Sequence, residues 1–166
     1  MKGTCEELTP AQLLGKGLQM LDQHDIRRAY ECFRQAFEAG PPAEIAAAVQ
    51  SYLGYTMAIV TGRESEALRL MHSAVNQEFY RPDFFLNLGK IYWERKGNRK
   101  QALNALFNGL RHCPNDPEIT KFLREMGTRR KPAVTFLARG NFINRWLGKR
   151  SYRKTRRSHS ISSLTR

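Results

Sequence analysis

The stretch that decides the fold is Phe85-x-x-Leu88-Gly89-x-x-Tyr92, followed by Gly97, then Ala102-x-x-x-Leu106-x-x-Gly109 and Pro114. Each of these residues belongs where two antiparallel helices must meet or stop. Gly89 and Ala102 have almost no side chain, so two backbones can approach there while Phe85, Leu88, Tyr92, Leu106 and Phe107 fill the space around them. Gly97 suits the turn between the helices, and Pro114 removes a backbone donor where the second one ends.

The same marks recur twice upstream. Counting back from Gly89, a small residue of a first helix falls at Gly54 and Gly17, and counting back from Ala102, one of a second helix falls at Ala67 and Ala29. The intervals are 35 and 37 for the glycines and 35 and 38 for the alanines, and seven residues after each alanine stands another small residue, Ala36, Ala74 or Gly109. Phe33, Met71 and Leu106 hold the large apolar position between them. A fixed period of this length is the sequence signature of a stacked helical array. On these residues the chain resembles the tetratricopeptide repeat (TPR) family, as a small three-repeat protein of bacterial type. The first two copies depart from the pattern: Leu13 and Met20, then Gln50 and Met57, replace the aromatics, Lys16 replaces the Leu of repeat 1, and no Pro closes repeat 2.

The resemblance implies an all-α, right-handed α-solenoid of three helix-turn-helix repeats over about 10–43, 47–80 and 82–115, with a capping helix at about 117–126. A short N-terminal segment, 1–9, precedes it and a basic C-terminal extension, 127–166, follows. Local signals agree. Thr9-Pro10-Ala11-Gln12 reads as a capped helix start, with helices from there to about His24 and from Ile26 to Ala39. A further helix spans about Glu64 to Gln77, and Asp116-Pro117 opens the last. Ile45 to Gly62 is an 18-residue run without a charge, long enough for a membrane span; its Gln50, Ser51, Thr56 and Thr61 and its Ala-rich content instead favour a central helix covered by its neighbours.

Charge is segregated. Residues 1–126 carry 16 Lys or Arg against 15 Asp or Glu, whereas 127–166 carry 12 Lys or Arg and no acid. Such asymmetry points to an anionic partner for the tail, nucleic acid or an anionic lipid surface, through Arg129, Arg130, Lys131, Lys149, Arg150, Arg153, Lys154, Arg156 and Arg157. The tail is expected to be largely disordered, with a short helix at 142–147 whose Phe142, Ile143, Trp146 and Leu147 share one face. Three cysteines without Cys-x-x-Cys spacing suggest neither a disulfide framework nor a zinc site, and adjacent His112 and Cys113 point different ways on a helix. Residues 1–8 lack a signal-peptide pattern, so a cytoplasmic, reducing setting is expected.

The motifs of phosphate loops, serine hydrolases and zinc hydrolases are absent from the sequence, so neither an enzyme nor a cofactor is expected; His24 reads as a turn residue. What the resemblance implies is an adaptor that binds a partner peptide or helix on a groove built from first helices. Carried over residue by residue, the groove positions are Leu14, Leu18 and Leu21 in repeat 1, Ser51, Tyr52, Tyr55 and Ala58 in repeat 2, and Leu86, Asn87, Lys90 and Trp93 in repeat 3. Only Asn87 and Lys90 suit a clamp for a partner's terminal carboxylate, which disfavours a chaperone-tail receptor. The alternative is binding of nucleic acid or an anionic membrane surface by the tail, with the repeats positioning it; the tail's apolar face could also occupy the groove.

Overall fold

The computed structural model describes residues 8–127, and the first helix begins where the sequence places it. The Thr9 Oγ1 accepts from the Gln12 backbone N–H at 3.3 Å while the Gln12 side chain accepts from the Thr9 N–H at 2.8 Å, a reciprocal cap that satisfies two otherwise orphaned donors. Helix α1 (Pro10–Asp22) ends two residues before the expected His24. His24 adopts the left-handed region at φ 61°, its N–H donates to the Leu21 carbonyl, and the Asp25 N–H donates to the Met20 carbonyl, both at 2.9 Å. This is the double closure of a helix C-terminus usually made by glycine. Asp25 then caps α2 (Ile26–Glu38) by accepting from Arg28 N–H at 3.1 Å.

Five more helices follow in order among the described residues, completing three helix pairs and a terminal helix: α3 (Ala43–Val60), α4 (Glu64–Gln77), α5 (Pro82–Glu94), α6 (Arg99–His112) and α7 (Pro117–Glu125). No strand occurs among the described residues. Helix α3 starts at Ala43, four residues before the expected start of repeat 2, because the carbonyl of Pro42 already accepts from Ile45 and Ala46. It is hydrophobic nearly all round since α2, α4 and α5 pack against it. Among the described residues no helix is long and apolar enough to cross a membrane.

Within each repeat the paired helices touch at the small residues. Ala29, Ala67 and Ala102 are fully buried, and Phe33, Met71 and Leu106, one turn later, seat over Gly17, Gly54 and Gly89 of the preceding helix. A Cβ added to those glycines would fall 2.4 to 2.7 Å from the seated side chain, closer than carbon atoms approach, so any larger residue must displace it. The core runs continuously from Phe33 through Leu53, Met71, Ile91 and Leu106 to Ile119 and Phe122 of α7. Helix α7 covers the open end of the array against α5 and α6, with Asp116 Oδ1 accepting from Ile119 N–H at 2.8 Å to start it.

Candidate functional site

The first helices α1, α3 and α5 set side by side the residues that the repeat pattern assigns to a groove. Leu14, Leu18 and Leu21 recur at helical spacing on α1 and are half-buried, resting on the core with their outer edges in solvent. Tyr55 of α3 and Trp93 of α5 are likewise half-buried. Each ring has a cation over it: Lys90 Nζ lies 5.7 Å from the centre of Tyr55, and the Arg99 guanidinium 5.3 Å from that of Trp93. Such pairs are attractive through the ring quadrupole. Burial, with a smaller contribution from Glu94, raises the Tyr55 hydroxyl above its ordinary pKa.

Tyr52 is positioned by a network of its own. Its hydroxyl donates to Asp83 Oδ2 at 2.9 Å, and Arg81 clamps the same carboxylate with two N–H donors at 2.9 and 2.7 Å. The ring stacks on Phe33 at 5.6 Å and meets the edge of Phe84 at 6.5 Å. Burial first, then the Asp83 charge, push the Tyr52 hydroxyl well above the usual tyrosine range. Tyr52 therefore joins three helices, and its polar end is already engaged.

Four of the candidate positions, Asn87, Ser51, Ala58 and Leu86, are removed from the surface. Asn87 is only 6 % exposed, and its amide donates to the Ser51 Oγ at 3.3 Å in the seam between α3 and α5. Ser51 and Ala58 are 0 % exposed and Leu86 is buried, so these positions serve helix contacts within the array. The reason is lateral packing: counting from the glycines alone ignores the neighbouring first helix that lies over these positions. With Asn87 buried, Lys90 is left as the lone member of the clamp set.

A second concavity was not foreseen. A cleft of about 460 Å³ opens between α2 and α4, with Leu53 and Met57 of α3 as its floor and Phe37 and Leu70 at its sides. Its sequence signal is Phe37, which follows Ala36 and lies off the inward stripe of Ala29, Phe33 and Ala36, and which remains 40 % exposed. His112 is also placed: its ring stacks on Phe85 at 6.1 Å and meets Phe79 at 5.3 Å. The tail cations Arg129, Arg130, Lys131, Lys149, Arg150, Arg153, Lys154, Arg156 and Arg157, and the 142–147 helix, lie outside the described residues.

No protein-family model matches the chain, and no curated protein matches it. Among solved structures the fold is similar to that of YrrB, described as a TPR protein with an unusual peptide-binding site, with a TM-score of 0.56 at 20 % sequence identity. The match covers 71 % of this chain and 59 % of that one, so this chain spans little more than half the length of its structural neighbour. Together with the glycine and alanine contacts repeated in all three helix pairs, that likeness gives the chain the fold of a tetratricopeptide-repeat array.

Proposed function

We propose that the array is a non-catalytic protein-interaction module that holds an apolar or amphipathic peptide along the first-helix strip of α1, α3 and α5. The observation that carries this reading is the row of half-exposed Leu14, Leu18, Leu21, Tyr55 and Trp93, with Lys90 and Arg99 set over the two aromatic rings. Large rings that keep one edge in water supply contact area with little side-chain entropy to lose, which is why a few of them dominate many interfaces. The peptide-binding description of the structural neighbour supports the same class of partner.

The test is selection of binding peptides from a random library on the intact chain, followed by affinity measurement on Tyr55→Ala and Trp93→Ala. Each substitution is expected to weaken a selected peptide by roughly 1 to 4 kcal/mol while circular dichroism shows the helices retained. Unchanged affinity in both folded variants would move the binding surface elsewhere.

A second reading rests on the 12 cations of residues 127–166 with no acidic neighbour. In it the tail binds polyanions or an anionic lipid surface without sequence specificity, and the repeats position it.

A further inference from the structure

The cleft between α2 and α4 lies away from the first-helix strip. On α3, Tyr55 stands two residues from both Leu53 and Met57, roughly 200° around the helix, so the strip and the cleft use different sides of one central helix. Leu53 and Met57, 2 % and 6 % exposed, make an apolar floor, while Phe37 and the half-buried Leu70 extend it up the two walls. The volume of about 460 Å³ takes a few apolar side chains rather than a whole helix.

The charges at the rim are unequal. On the α2 wall Arg34 is held by Glu31 at 2.8 Å and Glu38 at 2.7 Å; at the start of α4 Arg63 pairs with Glu66 at 2.6 Å. Arg69, also lining the cleft, is exposed and has no carboxylate in ion-pair distance among the described residues. At one end the Gln77 amide bridges Gln50 at 3.0 Å and Ser73 at 2.9 Å, tying α3 to α4. An apolar floor beneath an unneutralised guanidinium complements a ligand that offers an apolar anchor and a carboxylate together.

We infer that this cleft is a second docking site, one that takes the apolar anchor side chains of an acidic amphipathic peptide segment of a partner protein, with Arg69 meeting a carboxylate of that segment. The site is independent of the strip, so a partner could be held on two sides of the array, or two partners at once.

The probe is a synthetic, fluorescently labelled peptide with leucines at helical spacing and glutamates elsewhere, with its lysine-for-glutamate counterpart as control. Both are titrated against the intact chain, and backbone amide shifts are mapped. The acidic peptide is expected to bind saturably, to shift amides within 30–38, 50–57 and 63–73, and to lose about fivefold or more in affinity in Arg69→Glu. Ser73→Trp, which fills the cleft from an exposed position, should weaken it as well. The inference is overturned by absence of saturable binding, by equal binding of the lysine peptide, or by shifts confined to 14–21 and 90–93. Binding carried by the basic residues 129–157, and therefore insensitive to Arg69→Glu, overturns it too, as would cleft amides that move with protein concentration alone, which would make the occupant a second copy of the chain.

Discussion

Leu106 seats directly over Gly89: a Cβ at residue 89 would lie 2.7 Å from Leu106 Cδ2 and 2.8 Å from its Cγ. Met71 over Gly54 and Phe33 over Gly17 repeat the relationship in the other two helix pairs. The three are not equivalent. At Gly54 the added carbon would also meet the backbone carbonyl oxygen of Ala67 at 2.7 Å, and a helix backbone yields less readily than a leucine tip.

Gly54→Ala should therefore destabilise the array more than Gly89→Ala. Overpacking typically costs about 1 to 3 kcal/mol, against roughly 1 kcal/mol gained by replacing glycine within a helix. Thermal melts followed by circular dichroism should show a clear drop for Gly54→Ala and a smaller one for Gly89→Ala; the reverse order would mean that the helix pair of repeat 2 is less closely apposed than described.

The buried Asn87–Ser51 pair is accessible to a double-mutant cycle. Ser51→Ala leaves the Asn87 amide without its partner in a site closed to water, which should cost about 1 to 3 kcal/mol, whereas replacing both by apolar residues of similar shape should be nearer to neutral. Additive losses in urea unfolding would show that the two side chains do not interact.

Alkaline pH provides a third test. Tyr52, Tyr55 and Tyr92 all have hydroxyls whose pKa in the folded chain is raised above the ordinary 10.0, chiefly by burial. The unfolded chain thus releases these protons first as pH rises, so stability should be level below about pH 10 and should fall above it. Tyr52→Phe should flatten that fall, at the cost of the hydrogen bond to Asp83. A fall as steep in Tyr52→Phe as in the parent would assign it to other groups.

The basic tail makes a prediction about salt. If Lys149, Arg150, Arg153, Lys154, Arg156 and Arg157 neutralise phosphates, log K for duplex DNA should fall against log salt with a slope of about −5, and changing these six to Gln should remove most of it. Anisotropy titrations at several salt concentrations decide this. A slope near zero for the parent chain, or the same slope in both, would leave the tail without a role in polyanion binding.

What the chain determines by itself is largely local. The Thr9–Gln12 cap, Asp25 and Asp116 as N-caps, and the glycine–alanine period act within one or two helical turns or within one helix pair, and the helices begin and pair accordingly. That Leu14, Leu18, Leu21, Tyr55 and Trp93 share one side of the first helices is what the repeat resemblance implies, carried over through their distance from each glycine. The tertiary structure decided the rest. Asn87, Ser51 and Ala58 are equally well spaced from the glycines, yet the packing of α3 on α5 buries them. The α2–α4 cleft exists because two second helices stand apart over α3, and no residue of α2 or α4 encodes that separation alone. Burial and clefts arise from pairs of elements distant in sequence, where side-chain volume on both partners sets the spacing, whereas caps and close-contact glycines are read from neighbours along a single chain segment.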